Sequence, residues 1–210
     1  WGVHVDNRAI LGCDLDPDST VNIEGNVGQA AQGCADWRHT WTTLIQRSDP
    51  DVVAIELGRW EVSDRIVNGK WARIGAKPWD DLLGHLLDQA ISVANQRGAK
   101  VVLFTLPYIQ QTTEQPNGQP WDINQPVRTD QYNAVLRQAV ARHPGVASII
   151  DLNRLLDPDG HYTSYIDGVR VRNADDEHPS TAGGELLRPH ILPQLLALGL
   201  PHLRQRTATG

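Results

Sequence analysis

Three short stretches of the chain are almost continuously apolar: "DVVAIELG" (51–58), "KVVLFTLP" (100–107) and "VASIIDL" (146–152). Runs of that length predict parallel strands covered on both faces. An earlier run, "VHVDNRAIL" (3–11), alternates apolar and polar positions, which predicts a half-covered strand near a sheet edge. Between the runs the period lengthens to that of helices. The stretch 35–48 places Trp37, Trp41, Leu44 and Ile45 on one face. The stretch 78–98 opens on Pro78 and closes on Gly98, sound start and stop signals for a helix. Helices are also expected over 128–145 and 182–199, the last irregular or kinked at Pro189 and Pro193. Strands alternating with helices predict an α/β fold: a flavodoxin-like, three-layer α/β/α arrangement around a parallel sheet. One domain over 1–203 is expected, with an unstructured tail at 204–210. The loop 108–127 is long, polar and rich in Gln and Pro, and loops of that length in a domain are usually functional or disordered.

Composition narrows the function classes. The chain has 210 residues, 40% hydrophobic, and a net charge of −6, enough for one substantial core and without the basic stripe of a nucleic-acid surface. No run approaches the roughly 20 apolar residues of a membrane span. The sequence contains no methionine and begins at Trp1, so it is expected to be a piece of a longer chain. Two cysteines, Cys13 and Cys34, flank one loop-like stretch. A disulfide between them would imply an oxidising compartment; two unpaired buried thiols are the other reading. Seven tryptophans stand against one phenylalanine. Trp37 and Trp41, on one helix face, are expected to be core or capping residues, whereas Trp71, Trp79 and Trp121 are expected in loops around the rim, where an indole can stack on a sugar ring or simply bury a hinge.

The candidate chemistry lies in "DDEHPSTAGGE" (175–185), just before the last helix. In open α/β sheets ligands bind beyond the carboxyl ends of the strands. A loop there brings His178 to that rim, and Asp175 is near enough in sequence to accept a hydrogen bond from its Nδ1. Nε2 is then left free to take a proton from a nucleophile, the orienting logic of a catalytic triad. The bland alternative is a histidine in an ordinary loop leading into a helix. Asp175, Asp176, Glu177, His178 and His161 lie close in sequence, but no metal-ligand spacing is present, so neither a metal nor another cofactor is expected.

A strand followed by "LGC", a strand followed by "GRWE", and D-x-x-H before the last helix together resemble the SGNH (GDSL-type) hydrolase superfamily. They resemble most the SGNH-like domains fused to membrane acyltransferases that modify bacterial cell-envelope glycans. The resemblance implies Asp175 as triad acid, His178 as base and Gly12 as an oxyanion donor. It implies Gly58, Arg59, Trp60 and Glu61 as residues lining the substrate, with Trp60 where the family usually has asparagine. It further implies an acyl-ester substrate on a glycan, a membrane acyltransferase domain in the same chain, and an extracytoplasmic location. No serine follows Gly-Asp here. Ser63 is the one internal candidate kept, and Ser180 reads as a helix cap. The nucleophile and the family's first strand are therefore expected upstream of Trp1. The sheet order would then be 3–11, the absent strand, 51–58, 100–107 and 146–152. A non-catalytic module that binds or positions a glycan is the alternative.

Overall fold

The computed structural model describes residues 3–111, 115 and 117–209. The described chain opens with a hairpin, β1 (Thr20–Ile23) and β2 (Asn26–Gln29), then α1 (Trp37–Ser48) and β3 (Val52–Ile55). A second hairpin, β4 (Asp64–Val67) and β5 (Lys70–Ala72), precedes α2 (Lys77–Asn95) and β6 (Lys100–Phe104). A single 3₁₀ turn at Asp122–Asn124 leads into α3 (Pro126–Arg142) and β7 (Ala147–Ile150). Last come the short α4 (Leu152–Leu156), a small hairpin of β8 (Tyr165–Ile166) and β9 (Val169–Arg170), and the long α5 (Thr181–Thr209).

The three continuous apolar runs form the parallel sheet, in the order β3-β6-β7. Val53 pairs with Val101, and Val101 with Ala147. Successive strand residues face opposite sides, and β6 shows the result. Leu103 joins the larger core with Leu83, Leu87 and Ile91 of α2 and with Val135, Leu136 and Ala139 of α3. Its neighbour Phe104 joins a smaller core with Leu152, Leu156, Val171 and Leu187 under α5. Helices therefore cover both faces, and the fold is a three-layer α/β/α sandwich. α5 keeps Pro189, Pro193 and Pro201 inside one helix. Its backbone continues through 204–209, the stretch that the sequence reads as an unstructured tail.

The sheet departs from the expected strand order at its start. Residues 3–11 form no strand and pair with none, and Val3, Val5, Ile10 and Leu11 are exposed. Among the described residues β3 is an edge, bonded only to β6. An apolar alternation without a neighbouring ladder to join does not make a strand, because its N–H and C=O groups must find partners. A separate antiparallel sheet, ordered β2-β1-β4-β5, was not expected from the sequence.

Two buried ion pairs fix the segments around the carboxyl ends of the parallel strands. Arg65 of β4 reaches both carboxylate oxygens of Asp14 at 3.2 Å, donates to Trp60 O at 2.9 Å, and stacks 3.9 Å over the Trp79 ring. Arg172 lies 2.9 Å from both oxygens of Asp157, whose carboxylate also accepts from the backbone of Tyr108 and Thr163. Breaking either pair on one side leaves an uncompensated buried charge, a loss of about 3–5 kcal/mol.

Candidate functional site at the carboxyl end of the parallel sheet

His178 stands in a tight backbone loop between β9 and α5. Arg172 and Pro179 form an antiparallel bridge, Asn173 N donates to His178 O at 2.7 Å, and Ser180 N donates to Val171 O at 2.9 Å. Asp176 closes the bend with φ +54°, a left-handed conformation that Asp tolerates better than most residues. Inside the loop, Asp175 Oδ1 accepts from the backbone N–H of Glu177 and of His178, both at 3.0 Å. Its Oδ2 lies 2.9 Å from His178 Nδ1. Desolvation would raise the Asp175 carboxyl, but the two backbone donors and then the imidazole outweigh it and hold it at about 2. An ionised carboxylate only accepts, so Nδ1 carries the proton in this bond, and Nε2 has no partner among the described residues. The two side chains are 57% and 49% exposed, open to a substrate from solvent.

The turn after β3 lies beside this loop. Gly58 has φ +132°, and a Cβ there would meet Tyr132 Cε1 at 2.9 Å and Leu106 at 3.0 Å, so only glycine fits without displacement. Its N–H donates to Glu61 Oε2 at 2.8 Å. Glu61 is fully buried beneath the turn instead of lining a surface, and its Oε1 has no partner. Burial and then the nearby Asp14 push the Glu61 carboxyl up to about 7, against the pull of Arg65. Arg59 and Trp60 are the partly exposed members, with the guanidinium 5.1 Å from the indole centroid. Arg59 Nε lies 2.8 Å from Glu177 Oε1 and its Nη2 lies 3.3 Å from Glu24 Oε1. One side chain thus joins the β1–β2 turn, the β3 turn and the residue beside His178.

The remaining candidates make contacts of their own. Gly12, with φ +73°, packs against 31–33: its O accepts from Gly33 N at 3.0 Å, and a Cβ would touch Ala31. Cys13 and Cys34 form a disulfide with Cα atoms 4.9 Å apart, which points to an oxidising compartment. Ser63 is 4% exposed, under the β3 turn. Ser180 Oγ accepts from Gly183 N at 3.0 Å, as a helix cap does. Among the described residues no serine hydroxyl is hydrogen-bonded to His178. Trp71 is exposed on β5, and Trp121 is partly buried near Gly25. Trp79, expected in a rim loop, is a fully buried residue in the first turn of α2, donating to Glu61 O at 2.9 Å. Among the described residues no group of three or more His, Cys, Asp or Glu is placed to hold a metal ion.

Beside the His178 loop a cleft of about 380 Å³ opens between Tyr108–Gln111, Pro120, Asn124, Pro126 and Tyr162. Gln110 N donates to Asp176 O at 3.4 Å, which ties the cleft wall to the His178 loop. A second cleft of equal volume lies between α1 and α2, lined by Arg38, His85 and Asp88, on helices rather than at the strand ends. Sequence reasoning missed Asp157, Arg172, Asp14 and Arg65, and also Asn133, whose amide clamps both backbone groups of Leu106. A charged residue in a polar stretch gives no sign of burial, so no sequence signal marks these.

A family model described as "Protein of unknown function (DUF459)" matches residues 14–194. The chain belongs to that family. No curated protein matches the sequence. Among solved structures, the chain is similar to LAE5, described as an alpha/beta hydrolase enzyme from the metagenome of Lake Arreo, Spain. The TM-score is 0.50 at 18% identity, over 78% of this chain and 68% of that one. At that identity the likeness shows a hydrolase-like fold for this DUF459 chain.

Proposed function

We propose that the domain supplies the base and acid of a Ser-His-Asp site, working as an acyl-ester hydrolase or O-acyltransferase on cell-envelope carbohydrate. The reading rests on one observation: His178 Nδ1 held 2.9 Å from Asp175, with Nε2 free at the carboxyl end of the parallel sheet. In this proposal the serine belongs to chain preceding Trp1. Its Oγ attacks the ester carbonyl while His178 Nε2 takes the proton, and Asp175 stabilises the imidazolium. The oxyanion accepts backbone N–H donors, with Gly12 N–H proposed as one of them. The proton then passes from His178 to the departing alcohol. Water or a sugar hydroxyl attacks the acyl-serine, giving its proton to His178, which passes it to the departing serine Oγ; the serine is regenerated and a free acid or a new ester is released. Arg59 and Trp60 would border the substrate, and Gly58 and Glu61 would shape the turn that presents them.

The hydrolase-like fold supports this reading, and the disulfide supports an extracytoplasmic location. No described helix is long and apolar enough to cross a membrane. A tether and a membrane acyltransferase partner are proposed to lie in preceding sequence. A second reading, a non-catalytic module that binds or positions a glycan, is favoured by the lack of a serine bonded to His178 among the described residues. A fluorophosphonate probe separates the two. Applied to the full-length gene product, it should label one serine, and labelling should collapse in His178→Ala. Absence of His178-dependent labelling would leave the non-catalytic reading standing.

A further inference from the structure

We propose that the cleft between Tyr108–Gln111, the Pro120–Pro126 segment and Tyr162 is a subsite for a neutral sugar ring. The inference takes its location from the proposed ester chemistry next to it, and its chemistry from the cleft alone. Among the described residues, the side chains that line it are aromatic, amide, aliphatic and proline, and none is charged. Two carboxylates border it: Asp130 accepts from Tyr108 Oη at 2.7 Å, and Asp176 accepts from Ser164 Oγ at 3.3 Å. A cation, Arg172, lies 5.5 Å from the Tyr162 ring centroid, but it is bonded to both oxygens of Asp157. With that charge already paired, such surroundings disfavour phosphate and carboxylate ligands. Ring faces together with amides suit a neutral polyol, whose C–H face stacks on an aromatic ring and whose hydroxyls both donate and accept.

The cleft is a built one. Asn124 Oδ1 accepts from Gln111 N at 2.8 Å and its Nδ2 donates to Gln111 O at 3.0 Å, so the wall is fixed at its backbone. Pro120 and Pro126 stiffen the opposite side. The Gln111 side chain, by contrast, is uncommitted: its Oε1 is buried without a partner. Turning that amide toward a ligand hydroxyl forfeits no bond and satisfies a buried acceptor. Tyr162 Oη lies 2.9 Å from Ser164 Oγ and Arg172 covers one face of its ring at 5.5 Å, which holds the ring in place and leaves the opposite face for stacking. A sugar seated here would lie next to Asp176, two residues from His178, so an acyl group on a ring hydroxyl or on the adjoining residue would be near the imidazole.

The test is saturation-transfer NMR on the full-length protein with cellotriose, chitotriose and inorganic phosphate as probes. Saturable binding of at least one trisaccharide is expected, weakened about tenfold in Gln111→Ala and in Tyr162→Leu. Thermal melts confirm that each variant is folded, and Gln111→Ala alone suffices if Tyr162→Leu is not. Binding should survive His178→Ala, so failure of the ester chemistry and failure of this subsite are separate results. No saturable binding of either trisaccharide, binding indifferent to both folded cleft variants, or preferential binding of phosphate overturns the proposal.

Discussion

Arg59 Nε lies 2.8 Å from Glu177 Oε1, with side chains only 21% and 15% exposed, and the pair fastens the turn after β3 to the residue beside His178. Glu177 is held from the other side by Arg172 Nη1, which donates to its carbonyl at 3.3 Å. His178 is therefore positioned through its neighbour as well as through Asp175. A double-mutant cycle of Arg59→Ala with Glu177→Gln, followed by urea unfolding, should show a coupling of about 1 kcal/mol that salt weakens. Additive effects of the two substitutions would show that the contact positions nothing.

Glu61 gives a pH signature. Its folded-state pKa is raised from 4.5 to about 7, so the folded protein holds this proton more tightly than the unfolded chain does. Its contribution is favourable below about pH 4.5 and is lost as pH rises through about 7. Glu61→Gln keeps an acceptor for Gly58 N–H and removes the titration. Relative to the wild type, Glu61→Gln should gain on the order of 3 kcal/mol between pH 4 and pH 8. Parallel stability curves for the two proteins would contradict it.

At Gly58 the turn tolerates no side chain. Gly58→Ala must accept a φ of +132° and a Cβ at 2.9 Å from Tyr132. A loss of at least about 2 kcal/mol in chemical denaturation is expected. A wild-type unfolding midpoint would show that the turn is not constrained as described.

The Cys13–Cys34 disulfide closes a loop with a sequence separation of 21. On the chain-entropy account it stabilises the fold by about 3 kcal/mol. Cys13→Ser with Cys34→Ser should therefore lower the melting temperature measurably, and free thiols should be absent from the oxidised wild type. Two thiols titrating in the native oxidised protein would contradict the bond.

The parallel sheet was legible because its strands are buried on both faces and therefore written as unbroken apolar runs. The helices were legible from Pro and Gly at their ends, as at Pro78 and Gly98. The three hairpins were missed although their turns are marked: Glu24-Gly25, Asn68-Gly69 and Asp167-Gly168 all have positive φ at both residues. That pairing is the signature of a two-residue type I′ turn, and the flanking runs were too short to attract notice beside the βαβ pattern. Trp79 misled for another reason. Pro78 marks a helix start, which puts Trp79 in the first turn of α2, and whether a first-turn indole faces the rim or the core is set by the tertiary packing that turns it inward. The His178 loop was legible as spacing, D-x-x-H before a helix. Its fastening was not, because Arg59–Glu177 and Arg172–Asp157 join residues far apart in sequence.

The most direct measurement is acetate release from an acetylated oligosaccharide by the full-length gene product, compared across wild type, His178→Ala and Asp175→Asn. Release by the wild type is expected at neutral pH, when Asp175 is ionised. His178→Ala should lose about 10³-fold or more without loss of fold, and Asp175→Asn an intermediate or equal amount. Wild-type release that His178→Ala leaves unchanged would contradict a catalytic role for the imidazole.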